Sequence, residues 1–359
     1  MSMSKRLDKL REELARIQAD AFITEKAENR FYLSGFTGST AWVIITAKEA
    51  FLVTDFRYVE QAQEQAQGFT VIDNERKAID AIARVLKENG VNRLAFEGSS
   101  VAFQTYSDWN KAFEPVELVP TSGLIEKIRM FKDESEMVII REAVRIAEAA
   151  FEHIQGYIRP GVRESEIALE LEYFMRKQGA TGSAFDMIVA SGPRGALPHG
   201  RASEKVIQAG EMVTLDFGAA YQGYNSDITR TLAVGEPDPK MKEIYEIVLQ
   251  AQLAGLAALR PGVSGKEADA ATRDLITAAG YGAAYGHSAG HGLGLEVHEL
   301  PTLSTVSSFV LEPGMLVTME PGIYISGLGG VRIEDDVWIT ENGHENLNKS
   351  TKELLILPV

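Results

Sequence analysis

Apolar and polar positions along this chain follow two different periods, and the change between them divides it. Residues 5 to 18 carry apolar side chains at helical spacing, and the short apolar runs AFIT (21 to 24), AWVIIT (41 to 46), AFLVT (50 to 54) and RLAFEG (93 to 98) follow, interleaved with helical stretches at 58 to 66 and 76 to 89. This alternation predicts an α/β domain. Between about 120 and 133 the pattern changes. DESEMVIIREAVRIAEAAFEHIQGYI (133 to 158) has an acidic start and a helical apolar repeat, and it ends before Pro160-Gly161. The expected division is therefore a smaller N-terminal α/β domain, 1–125, and a larger domain, 126–359. In the larger part, helices at about 163 to 178, 238 to 259 and 265 to 279 alternate in blocks with strand runs, the α+β arrangement. Two helices precede an acid-bearing hairpin twice over, as in a duplicated half-domain.

Composition narrows the chemistry. With 359 residues, 45% hydrophobic and 24% charged, the chain has the make-up of a soluble globular protein with a large core. A net charge of -15 argues against nucleic acid, which is bound by clustered Lys and Arg. No apolar stretch reaches the ~20 residues needed to cross a bilayer. The start, MSMSKRLDKLREELARI, is a charged amphipathic helix rather than a signal peptide, so a cytoplasmic location and no membrane partner are expected. The absence of cysteine excludes disulfides, thiolate metal sites and cysteine nucleophiles. Any metal site must use oxygen and imidazole donors.

Four acids interrupt otherwise apolar strand runs: Asp216 in VTLDFGAAY, Asp227 in GYNSDITRTLAV, Glu320 in MLVTMEPGIYI and Glu334 in GGVRIEDDVWIT. If Gln222-Gly223 form a two-residue turn, residue 216 faces 229 and Asp227 is its diagonal neighbour on the same face; a one-residue shift sets the two acids opposite each other. A three-residue loop at 326 to 328 sets Glu320 opposite Glu334, and a five-residue loop makes them diagonal. In every register each pair shares a face. Adjacent unpaired carboxylates raise one another's pKa and destabilise the fold, and a dication between them reverses that penalty. The plainer alternative pairs each acid with a base such as Arg230 or Arg332, or places it on an exposed turn, as expected for Asp335 and Asp336. Four of six histidines, His199, His287, His291 and His298, fall between 199 and 298, whereas His153 is expected on a helix and His344 in a turn. The glycines of GHSAGHGLGLEVHELP (286 to 301) oppose a helix, and only a bend would let His291 and His298 reach one site.

These residues carry a family resemblance. FDMIVASGPRGALPHG (185 to 200), LDFGAAYQGYNSDITRT (215 to 231), GHGLGLEVHELP (290 to 301), MEPGIYI (319 to 325) and GVRIEDD (330 to 336) resemble successive signatures of the Xaa-Pro peptidases, aminopeptidase P and prolidase, relatives of methionine aminopeptidase with the pita-bread fold. FTGS (36 to 39) and TDFRY (54 to 58) resemble the N-terminal domain of the same family. The resemblance implies a C-terminal pita-bread catalytic domain and two divalent metal ions. Asp216 would bind one ion, His291 and Glu320 the other, with Asp227 and Glu334 bridging. The mainly oxygen donor set favours Mn²⁺, with Co²⁺, Zn²⁺ or Fe²⁺ as alternatives. A metal-bridging water would attack the peptide bond before proline, and Glu320 would accept its proton. His199 and His298 match substrate histidines near the scissile carbonyl, and His287 and Arg332 match recurrent active-site positions.

Within the family the expected partner is a short peptide with proline in second position. In some prolidases an arginine follows the His-Glu-x-Pro motif, and Thr302 stands there instead. This departure weakens the dipeptidase branch relative to aminopeptidase P, which needs no clamp on a free carboxylate. Methionine aminopeptidase normally lacks such an N-terminal domain. The different-class alternatives are a non-catalytic peptide-binding module and a metal-free creatinase-like enzyme, whose turnover would ignore chelators. The resemblance also implies a homodimer, with FTGS as the candidate contact towards a second active site.

Overall fold

The structure is a computed structural model, and it describes residues 3–359. The described residues form two compact units that divide between Arg129 and Met130, against an expected boundary after residue 125.

The first unit is a six-stranded sheet of β1 (Ala21–Thr24), β2 (Trp42–Thr46), β3 (Ala50–Thr54), β4 (Thr70–Asp73), β5 (Arg93–Glu97) and β6 (Glu117–Thr121), in the order β4-β3-β2-β1-β5-β6. Its helices are α1 (Met3–Arg16), α2 (Ala27–Ser34), α3 (Val59–Gln65), α4 (Ala78–Glu88), α5 (Phe103–Ala112) and α6 (Leu124–Arg129). Strand β1 runs parallel to β5 and antiparallel to β2. Ile23, Ile44, Val53, Leu94 and Phe96 from the sheet meet Ala81, Ile82, Val85 and Leu86, the apolar stripe of α4, with Trp109 and Phe113 closing the cluster. The α/β character was readable, but five elements, α2, β4, α5, β6 and the short α6, were not. Helix α2 buries Asn29 and Arg30, which breaks its amphipathic pattern. Helix α5 buries only Trp109. β4 and β6 are edge strands, and β6 carries Pro120, which only an edge tolerates.

The second unit starts with α7 (Glu134–Ile154), fixed at its N-terminus by a capping box of Asp133 and Glu136, and α8 (Glu164–Lys177). Strands β7 (Gly182–Ser183), β8 (Ile188–Ser191), β9 (Met212–Phe217), β10 (Ala219–Tyr221), β11 (Tyr224–Asn225) and β12 (Ile228–Val234) follow, and the first hairpin is β9-β10 with β11-β12. Next come α9 (Pro239–Ala258), α10 (Gly265–Ala278), β13 (Gly290–Gly292) and β14 (Glu299–Leu303). The second hairpin contains β15 (Leu316–Met319), β16 (Gly322–Ile325), β17 (Gly329–Arg332) and β18 (Asp335–Thr340), before β19 (Gly343–Asn346) and β20 (Ile356–Leu357).

Parity explains what each hairpin buries. Val213, Leu215 and Phe217 of β9 and Ile228, Leu232 and Val234 of β12 pack on α7 and α8. Met315, Val317 and Met319 pack with Val337 and Ile339 against Leu256, Leu259 and Ala268 from the α9–α10 pair. Residues of the other parity, Asp216 and Asp227 in one hairpin and Glu320 and Glu334 in the other, are turned away from those two helix-facing clusters. A bridge between Thr229 and Glu334 joins the two hairpins along this side. Among the described residues no helix is long and apolar enough to cross a membrane.

Candidate metal centre

The first hairpin adopts the register expected from a Gln222-Gly223 turn. Tyr221 faces Tyr224 and Asp216 faces Thr229, while Gln222 and Gly223 both take positive φ, as a type I′ turn requires. Asp227 is therefore the diagonal neighbour of Asp216. In the second hairpin Ile325 faces Gly329 and Met319 faces Asp335, so Glu320 stands across from Glu334 in the three-residue-loop register. The segment 290–303 bends back as β13 and β14, with a register shift after His291, and this brings the His291 and His298 rings to 4.3 Å.

Asp216, Asp227 and Glu334 are 8%, 4% and 2% exposed, too buried for unpaired anions. One oxygen of each, Oδ1 of Asp216, Oδ1 of Asp227 and Oε1 of Glu334, has no hydrogen-bond partner. Asp227, His291 and Glu334 each offer a donor atom within 4.8 Å of the others, and His291 Nε2 lies 3.3 Å from Glu320 Oε1. The His291 Nδ1–H donates to the Gly292 carbonyl at 3.1 Å, which leaves the Nε2 lone pair facing the acids. Burial, then the charges of Glu334 and Asp216, pushes the Asp227 carboxyl well up from its ordinary value. Burial, then Glu320 and Asp216, does the same to Glu334, and burial raises Glu320 against the opposing pull of His287 and Arg332. Burial lowers His291 and keeps its imidazole neutral. Orphaned acid oxygens, raised carboxyls and a neutral imidazole are what a dication would satisfy together.

The simpler pairing of acids with arginines accounts for one ligand candidate only. Arg332 Nη2 donates to Asp216 Oδ2 at 2.5 Å, and the same guanidinium donates to Thr229 Oγ1, to the Pro198 carbonyl and to Tyr324 Oη at 2.7 Å. Arg230 instead donates to Asp335 at 2.7 Å and to the Glu334 carbonyl at 2.6 Å. Asp335 and Asp336, expected on an exposed turn, are fully buried. β18 runs through the interior, where Asp335 also accepts from Lys352, Gln252 and Asn346, and Asp336 accepts the Asp227 N–H at 3.0 Å. Those acids brace the backbone that carries the ligand candidates.

His287 donates from Nδ1 to the Ser288 carbonyl, accepts the Tyr324 hydroxyl at Nε2 (2.8 Å), and has Nδ1 3.8 Å from Glu320 Oε2. Tyr324, pushed up to about 12 by burial, thus joins Arg332 to His287. Sequence reasoning missed it, although it shares the parity of Glu320 along the strand run. His199 lies exposed in the turn after Pro198, whose carbonyl Arg332 holds. His298 is exposed beside His291, their rings 4.3 Å apart. Thr302 faces His291 across β13 and β14. His153 sits on α7 with Glu170 at 2.7 Å, and His344 lies in β19 rather than in a turn.

Comparison with known proteins matches residues 138–341 to the model of metallopeptidase family M24 and residues 6–131 to the creatinase/prolidase N-terminal domain. The chain belongs to metallopeptidase family M24. It is 40% identical to the Xaa-Pro dipeptidase of Pyrococcus horikoshii, over 98% of this chain and 99% of that protein. Among solved structures, it resembles the Xaa-Pro dipeptidase from Bacillus anthracis (TM-score 0.98, 54% identity, 99% of this chain and 100% of that one). It also resembles the X-Pro aminopeptidase from Thermotoga maritima (TM-score 0.91, 39% identity, 96% and 99%). As an M24 metallopeptidase it is a hydrolase with the pita-bread domain preceded by a creatinase/prolidase-type domain, and the family implies divalent metal ions. The buried oxygen-rich donor set described above fits such ions.

Proposed function

We propose that this protein is a dinuclear-metal exopeptidase that hydrolyses the bond between an N-terminal residue and proline, with Xaa-Pro dipeptides as substrates. The observation that carries the reading is the convergence of Asp216, Asp227, Glu320, Glu334 and His291, three of whose carboxylates keep an unpartnered buried oxygen. Full-length similarity to Xaa-Pro dipeptidases supports the substrate class. Asp227 and Glu334 would bridge two ions, Asp216 would complete one set, and His291 with Glu320 the other. Four carboxylates and one imidazole favour Mn²⁺. When bound, the ions supply an acidified water as nucleophile and polarise the scissile carbonyl.

The chain's own groups do the rest. Glu320 takes the proton of the nucleophile and passes it to the leaving proline nitrogen. His298 and His199 hold the substrate near the scissile carbonyl and oppose the charge that develops there. Arg332 fixes Asp216 and, through Tyr324, orients His287 beside Glu320. A bond to proline has no N–H and bends the chain, so a site that does not need an extended peptide is suited to it.

A second reading, Xaa-Pro aminopeptidase, is favoured by Thr302. This short side chain faces His291 where a carboxylate-clamping arginine would be expected, and Arg332 is already engaged by four acceptors. Rates on an Xaa-Pro dipeptide and an Xaa-Pro-Xaa tripeptide, with protein loaded separately with Mn²⁺, Co²⁺ and Zn²⁺, decide between them. Preference for the dipeptide is expected. Cleavage of the tripeptide alone moves the assignment to aminopeptidase, and cleavage of neither refutes both.

A further inference from the structure

His298 is exposed, yet the turn that carries it is held from two sides. Within the turn, Gly294 N–H donates to the Glu296 carbonyl at 3.1 Å, and Glu296 N–H donates to Glu299 Oε1 at 3.0 Å. Asn225, on the hairpin of Asp227, donates from its backbone N–H to the Gly294 carbonyl (2.9 Å) and from Nδ2 to the Gly294 and Leu295 carbonyls (3.1 and 3.0 Å). From the other side Lys132 Nζ donates to Glu299 Oε2 at 3.0 Å, with the two side chains only 1% and 4% exposed. A Cβ at Gly294 would come within 2.8 Å of Glu299 Oε2, so the glycine lets this carboxylate lie against the turn.

A buried ion pair is a poor device for stability alone, because apolar side chains of similar volume serve as well; what it does provide is a fixed geometry. Here it fixes Glu299, whose chain neighbour is His298, and the Lys132 N–H is itself bonded to the Gly314 carbonyl at 2.7 Å, so the cation stands on an anchored backbone.

We propose that Lys132 is a positioning residue which, through its buried pair with Glu299, sets where His298 stands at the metal centre. The proposal rests on the reading of His298 as a substrate-binding residue. It is tested on the full chain labelled with ¹⁵N-histidine, the His298 ring signal being identified by its loss in H298A. In K132M that signal moves while those of His153 and His344 stay, and kcat/KM on an Xaa-Pro dipeptide falls about 10- to 100-fold with metal bound. K132R, which keeps the cation, restores most of the activity. In an H298A background K132M has little further effect, because both changes act through one side chain. Should K132M fail to fold, E299Q carries the same test, since its amide oxygen still accepts from Glu296. An unmoved His298 signal in the folded variant, or K132M and H298A losses that multiply independently, would overturn the proposal. Full activity in H298A would instead remove the substrate role of His298, while the shifted signal would still report the tether.

Discussion

At the scale of single residues, the centre is defined by the cost of its own carboxylates. Asp227, Glu320 and Glu334 all have raised proton affinity, with burial the first cause in each. The sign of the linkage follows. An acid whose folded-state pKa lies above its unfolded value, about 4, contributes stability that is complete below that pH and is lost as pH rises through the folded-state value. Chelated protein should therefore lose stability above about pH 4 relative to the metal-loaded form, because a bound dication favours the ionised acids. Thermal melts of chelated and Mn²⁺-loaded protein across about pH 5 to 8 check this. The gap in Tm is expected to widen with pH, and a gap that narrows would mean that these acids do not bind the ion.

At the scale of elements, the hairpins were legible because a strand has period two, so parity alone put Asp216 with Asp227 and Glu320 with Glu334. Tyr324 obeyed the same parity and was still missed, since a tyrosine in an apolar run reads as core. Asp335 and Asp336 were misplaced because local charge density resembles a turn, and the partners that bury Asp335, Arg230 and Lys352, come from other segments. Gly218 shows what the hairpin geometry demands. Between β9 and β10 a Cβ at this position would lie 1.7 Å from the Ser226 carbonyl oxygen, next to Asp227. Gly218→Ala must shift that backbone, at a cost of about 1–3 kcal/mol. The variant should melt lower even when chelated and need more Mn²⁺ for half-maximal activity. Unchanged melting and metal demand would show that the strand crossing is not strained there.

For the whole molecule, the sequence was most readable where one element's pattern decided the outcome, and least where distant segments did. The core strands and α4 of the first unit follow their apolar spacing, whereas α2 exists around the buried polar residues Asn29 and Arg30. The pairing of Lys132 with Glu299 joins segments far apart in the chain, and no spacing rule foretells it. The five ligand candidates likewise come from five separate runs, and only the fold brings Asp227, His291 and Glu334 within reach of one ion. The proposed activity therefore depends on a shared metal centre rather than on any one motif. Its most direct test is a titration of chelated protein with Mn²⁺ while Xaa-Pro dipeptide hydrolysis is followed. The expected result is no turnover without metal and a plateau at about two ions per chain. Full activity in the chelated protein, or none with both ions bound, would contradict it.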